Sequence, residues 1–225
     1  MRARAPAFPV LGSLCLDKAS QMSLIQSRHR IDLREAGWHS RGYLPHFDGR
    51  EIPQFMTLRL YDSVPKAVLT RWKRELAASD SPRDRTLMQR RIERYLDQGY
   101  GQAFLRSPLV AAAVEDDLLS YDGKVLKLLA WVVMPNHIHL LGTRYEGYTL
   151  AGIMQSFKSL TSHKVNKMLE RSGQFWMTDY FDRYIRNANH FARTVRYIEN
   201  NPVKARLCAR PEDWPFSSAR YRKQD

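Results

Sequence analysis

His137 and His139, in the run MPNHIHLL, are the first positions in this chain whose types and spacing could do chemistry. On a β-strand, side chains two apart project from one face, so both imidazoles can reach a single ion while Ile138 turns into the core. The pair is also met by one hydrogen-bonded core histidine beside an exposed one. A histidine-triad nucleotide hydrolase would want a third histidine at position 141, which is Leu141. A two-motif phosphoesterase would need a second His-x-Thr or His-x-Ser, and none of the other histidines provides it. Both small-nucleotide readings lose ground.

A second pair lies in RTVRYIENNP, where Tyr197 and Asn201 are four residues apart and share a face of any helix that reaches that far. A phenol there can attack phosphorus, and the amide oxygen can complete a metal shell. The bland alternative is an amphipathic helix whose tyrosine packs and whose asparagine caps the end before Pro202. Arg183, Arg186, Arg193 and Arg196 surround this pair, and residues 181–225 hold ten basic against five acidic side chains. Phe175, Trp176, Tyr180, Phe181 and Tyr184 interleave with that charge, which suits stacking on unpaired bases and suits core packing as well. Lys158 and Thr161 could contact phosphate or lie on a solvated helix face. His163 and His190 read as surface or supporting residues.

These residues need a scaffold. QFMTLRLYD alternates as a strand from Gln54, and KAVLTRWKREL puts Val68, Leu69, Trp72 and Leu76 on one helical face. A charged, helical stretch spans about 80–125 and closes at the Asp122-Gly123 turn. KVLKLLAWVVMP and HIHLLGT, joined at Pro135-Asn136, make an antiparallel hairpin. A helix fits TLAGIMQSFKSLTSHKVNKMLE, ended by Gly173, and QFWMTDYFDRYIR reads as edge strand and loop. A last helix runs from Asn187 to Asn200, stopped by Pro202, and Trp214 reads as an anchor for the C-terminal segment. This order gives a compact α+β domain with an antiparallel sheet.

Composition narrows the class. The chain has 225 residues, 36 Lys+Arg against 23 Asp+Glu, a formal charge of +13 and 44% hydrophobic residues. That is enough for a core and too apolar for a disordered tail. The charge favours a polyanionic partner, nucleic acid above all. Two distant cysteines, Cys15 and Cys208, make no disulfide framework, and no apolar run is long enough for a membrane span. The basic start MRARAPAFPVLGSLCL, broken by Pro6, Pro9 and Gly12, reads as cytoplasm rather than export.

AWVVMPNHIHLL, FWMTDYFDRYIRNANHF and YIENNPVKARL with PEDWPFSSA closely resemble the REP-associated tyrosine transposases, relatives of the IS200/IS605-type single-strand transposases in the HUH (His-hydrophobic-His) superfamily. RGYLPHFD and PQFMTLRLYDSVP look like the start of the longer members, so the likeness spans residues 40–220. The resemblance implies a ferredoxin-like or RRM-like antiparallel sheet with helices on one face. The HUH domain would cover 46–225, with the helical insertion at 80–125, after a basic N-terminal extension over 1–45. It implies metal ligands at His137, His139 and Asn201, a nucleophile at Tyr197, and Mg²⁺ or Mn²⁺ as the ion. DNA contacts would fall to Lys158, Arg183, Arg186, Arg193, Arg196, Trp176 and Tyr184. The implied activity is single-strand cleavage and rejoining at palindromic repeat hairpins through a 5′-phosphotyrosine, in a bacterial cytoplasmic, nucleoid-associated protein whose oligomeric state stays open. Arg206 departs from the pattern, standing where NPVKAGL has glycine. With the long N-terminal extension, it motivates the alternative of a catalytically silent repeat-binding protein. A metal phosphodiesterase using water is a third reading.

Overall fold

Alternation in QFMTLR and the aliphatic run LKLLAWVV produce the expected strands in this computed structural model, which describes residues 37–40, 45–48, 52–76 and 82–222. Of the basic extension expected over 1–45, residues 1–36 lie outside the described residues. The segment read as turns begins instead with a hairpin: β1 (Gly37–Ser40) pairs antiparallel with β2 (Pro45–Asp48). It straddles the 45/46 boundary, and β2 runs beside the last strand of the main sheet.

The elements that follow are β3 (Gln54–Arg59), α1 (Lys66–Leu76), α2 (Pro82–Asp97), a 3-10 turn at Phe104–Arg106 and α3 (Pro108–Leu119). Then come β4 (Leu126–Val133), β5 (His137–Arg144), α4 (Leu150–Met168), β6 (Phe181–Tyr184), α5 (Ala188–Glu199) and the single helical turn α6 (Asn201–Lys204). The four main strands form an antiparallel sheet in the order β4-β5-β3-β6, so the His137/His139 strand is central.

Strand alternation divides the core. Met56, Leu58, Ile138, Leu140, Trp131 and Val133 pack against Val110, Val114 and Leu118 of α3 and Ile153, Met154 and Phe157 of α4. On the other face Phe55, Ala130, Val132 and Leu141 meet Phe191, Val195 and Ile198 of α5. A single helical layer was expected, but α5 covers the opposite face, and helices therefore flank the sheet on both sides. The unbroken run LLAWVV is the composition that burial on both faces demands. A bulge between Leu128 and Ala130 turns Leu129 and Ala130 together toward α5.

Local chemistry sets the helix ends. Thr149 Oγ1 accepts from Gly152 N at 3.1 Å to start α4, and Asn187 Oδ1 accepts from His190 N at 2.8 Å to start α5. α4 stops at Met168, short of Gly173, because Glu170 already turns left-handed at φ 49°. In QFWMTDYFDRYIR only Phe181–Tyr184 becomes strand, and Trp176 pairs by a lone bridge to Leu60. The C-terminal segment seals the free edge of β4: Val133 N donates to Phe216 O at 2.8 Å, and Trp214 Nε1 to Val133 O at 3.0 Å. No helix among the described residues is long and apolar enough to cross a membrane.

Candidate metal and nucleophile site

Antiparallel register places Thr57 opposite His139 and Arg59 opposite His137, with all four side chains on the α5 face. Both histidines are fully buried, and each ring is held through Nδ1. Asn136 Nδ2 donates to Leu96 O at 3.3 Å and Tyr100 O at 2.9 Å. Its Oδ1 therefore faces His137 and accepts from Nδ1–H at 2.7 Å, which leaves His137 Nε2 with a free lone pair. Thr57 Oγ1 meets His139 Nδ1 at 2.9 Å. The two Nε2 atoms face each other 3.1 Å apart.

The loop behind Asn136 depends on one glycine. Gly101 has φ 81°, and a Cβ there would lie 2.2 Å from Ser63 O, so no other residue fits where the chain brings Tyr100 O to Asn136.

α5 and α6 bring the remaining groups. Tyr197 is half-buried, its ring edge-on to Phe55 and its Oη 3.4 Å from His139 Nε2. Asn201 is fully buried and donates from Nδ2 to Asp97 Oδ1 at 3.2 Å, while its Oδ1 is buried without a hydrogen-bond partner. Asp97 Oδ1 lies 3.9 Å from His137 Nε2. Asp97, His137 and His139 can each offer one ligand atom within 4.8 Å of the others. Thus His137, His139, Tyr197 and Asn201, spread over 65 positions of sequence, converge on one spot.

Burial dominates the electrostatics. Desolvation pushes His137 down to about 3, and with help from His137 and Lys204 it pushes His139 well below its ordinary value. Both imidazoles are therefore neutral, the form that donates a lone pair to a metal. Burial also raises Asp97, against the Asn201 hydrogen bond and Lys204. Tyr197 is raised by burial first, then by Glu93 and Asp97, with Arg183 opposing. Its phenol is stored protonated. Lys204 Nζ sits 4.7 Å over the Tyr197 ring.

The expected DNA contacts separate into two groups. Arg183 and Arg193 line a cleft of about 340 Å³ with Phe55, Glu93, His190, Thr194 and Tyr197. Arg186 and Arg196 are exposed nearby, Arg186 resting 5.7 Å over the Tyr184 ring. Lys158 and Trp176 lie elsewhere, at α4. Lys158 Nζ donates to Thr178 O at 2.6 Å, clamping the 174–180 segment. Trp176 is 3% exposed and donates to Thr161 Oγ1 at 2.7 Å, so its ring offers no face to a base. Thr161 is fully buried and likewise withdrawn from solvent.

Sequence reading missed Asp97, Asn136, Thr57, Glu93 and Lys204. Thr57 was within reach, since Phe55, Thr57 and Arg59 must share a face once the strand is assigned. Asn136 adjoins the histidines, but after Pro135 its type signals only a turn. Asp97 gave no local signal, because its partner His137 is 40 positions away.

Residues 120–201, which contain both histidines, Tyr197 and Asn201, match the family model described as transposase IS200 like. The REP-associated tyrosine transposase of Escherichia coli (strain K12) is 31% identical over 90 residues, covering 40% of this chain and 52% of that protein. The chain thus spans about half the length of this curated relative. The structure of a REP-associated tyrosine transposase bound to a REP hairpin aligns with a TM-score of 0.50 at 18% identity, over 81% of this chain and 83% of that one. The chain resembles the REP-associated tyrosine transposases in sequence, and the structural likeness extends to the fold.

Proposed function

We propose that this chain is a metal-dependent single-strand DNA strand transferase that cuts and rejoins palindromic repeat hairpins through Tyr197. One observation carries the reading: Tyr197 Oη lies 3.4 Å from the nitrogen of a buried, neutral histidine pair, at the edge of an arginine-lined cleft. A tyrosine serving only as packing would not need to place its hydroxyl against the outer nitrogen of that pair.

The donor set fits a divalent ion. Two neutral imidazole nitrogens and the partnerless Oδ1 of Asn201 form a mixed N/O set open to Mg²⁺ or Mn²⁺. His137, His139 and Asn201 would hold it, and the bound ion would polarise the scissile phosphate and offset its developing charge.

The chain's own residues do the rest. Arg183 and Arg193 draw the phosphodiester backbone into the cleft, and Phe55 fixes the Tyr197 ring edge-on. Burial and the carboxylates of Glu93 and Asp97 keep the phenol protonated until a substrate is present. Tyr197 Oη then bonds to phosphorus as the bond to O3′ breaks. The phenolic proton passes from Oη to solvent water in the cleft and the departing O3′ takes one up from water, giving a 5′-phosphotyrosine and a free 3′-OH. The phosphodiester energy stays in the covalent adduct, so rejoining is the reverse step and needs no nucleotide cofactor.

The test is a denaturing gel of the protein with labelled single-stranded hairpins and Mn²⁺. A protease-sensitive, metal-dependent adduct is expected, lost by at least about 10³-fold in Tyr197→Phe with hairpin binding intact. Tight hairpin binding in EDTA with no adduct across flanking sequences would replace this reading with the silent repeat-binding protein. Cleavage that survives Tyr197→Phe would replace it with a phosphodiesterase using water.

A further inference from the structure

We propose that Asp97, in the last turn of α2, is a protein ligand of the same ion, so that the insertion helix supplies the centre's one anionic donor. The inference rests on the reading that His137 and His139 hold a divalent metal. Three observations carry it beyond that reading.

The spacing is right for a shared ion. Bonds of about 2.1 Å in octahedral geometry put neighbouring donors about 3 Å apart and opposite donors about 4.2 Å apart. The Nε2 atoms of the two histidines are 3.1 Å apart, a neighbouring pair, and Asp97 Oδ1 is 3.9 Å from His137 Nε2, between the two limits. The ligand atoms of all three residues lie within 4.8 Å of one another, so a small shift of the part-exposed Asp97 carboxylate closes the set on one ion.

Asn201 adds an independent sign. It is fully buried, its Nδ2 is spent on Asp97 Oδ1 at 3.2 Å, and its own Oδ1 has no partner. An orphaned buried carbonyl oxygen costs about 1–3 kcal/mol unless something satisfies it. A cation beside Asp97 would satisfy it.

The third observation is architectural. The end of α2 already serves the site through Leu96 O, which with Tyr100 O orients Asn136 and thereby His137. One helix end thus positions one ligand and presents another. Two neutral imidazoles and an amide bring no charge to a dication, whereas Asp97 brings one negative charge and a hard oxygen, the donor Mg²⁺ and Mn²⁺ prefer.

The experiment titrates Mn²⁺ into the DNA-free full chain, reading free Mn²⁺ by electron paramagnetic resonance. Asp97→Asn keeps an acceptor for Asn201 Nδ2 while removing the charge. It should weaken Mn²⁺ binding at least ten-fold, with metal-free Tm and hairpin binding in EDTA unchanged. Equal Mn²⁺ affinity in Asp97→Asn and the parent chain would overturn the proposal while leaving the histidine site standing. A parent chain that binds Mn²⁺ no better than His137→Ala would overturn the metal reading and this proposal with it. If Asp97→Asn lowers the metal-free Tm, Asp97→Glu decides. Recovery of affinity relative to Asp97→Asn supports a carboxylate ligand, and no recovery overturns it.

Discussion

Two clusters of aromatic and basic side chains, alike in composition, meet opposite fates on the two faces of this sheet. Against α4, Lys158, Phe175, Trp176 and Tyr180 are tied down: Trp176 donates to Thr161, Thr161 to Phe157 O at 2.8 Å, and Lys158 to the carbonyl of Thr178. Against α5, Arg183 and Arg193 stand exposed around Tyr197, whose hydroxyl is turned to the histidine pair. The difference teaches that charge and rings do not make a nucleic-acid surface. A donor that has found a protein acceptor is withdrawn from ligands, most firmly where the bond is buried, as between Trp176 and Thr161, because leaving that acceptor would strand an unmet polar group.

The largest expected effect breaks the packed cluster. Trp176→Ala removes a ring that touches Phe157 and Phe175 in the main core, and should cost about 3–5 kcal/mol by chemical denaturation. Phe181→Ala, at a half-buried ring beside Arg183 on the α5 face, should cost about 1–2 kcal/mol. Similar losses for the two would erase the distinction between the faces.

Next in size is the binding contrast. Arg183→Gln and Arg193→Gln should each weaken hairpin binding and flatten the slope of log K against log salt by about 0.7–0.9. Lys158→Gln should leave that slope unchanged, because its ammonium is already spent on Thr178 O. Fluorescence anisotropy at several salt concentrations separates them, and a flattened slope in Lys158→Gln would place DNA on the α4 face as well.

The same contrast marks what could be read from the sequence. Strands β3 to β5, the hairpin turn and the helix carrying Tyr197 were legible because period-2 and period-3.6 patterns are local properties. The histidine pair was legible for the same reason, lying within one strand, and the Tyr197–Asn201 pair because only four residues separate its members across the α5–α6 junction. That Trp176 packs and Arg193 does not depends on which sheet face each segment reaches, which no spacing encodes. The second helical layer was half-visible in LLAWVV, whose lack of alternation signals burial on both sides. Asp97 was invisible, because a carboxylate in the basic run RRIERYLDQ looks solvated until the end of α2 is brought against His137.

The smallest effect concerns Arg206, the residue that stands where a glycine was expected. Leu207 N donates to Pro202 O at 2.9 Å and Arg206 N to Val203 O at 3.0 Å, the paired bonds that close a helix end with a left-handed residue between them. Arg206 takes that left-handed conformation at φ 58°, so the turn after α6 forms as it would with glycine, at the cost of crowding its own Cβ. Arg206→Gly should therefore stabilise the chain by about 1 kcal/mol, or about 2–4 °C in Tm. Two positions earlier, Lys204 reaches over the Tyr197 ring and belongs to the open cluster, whereas Arg206 is exposed beyond it. Arg206→Gly should leave the Tyr197 adduct yield unchanged while Tm rises. A gain in Tm accompanied by a fall in adduct would extend the basic cleft past α6 and make the arginine a phosphate contact whose benefit offsets the strain of its backbone.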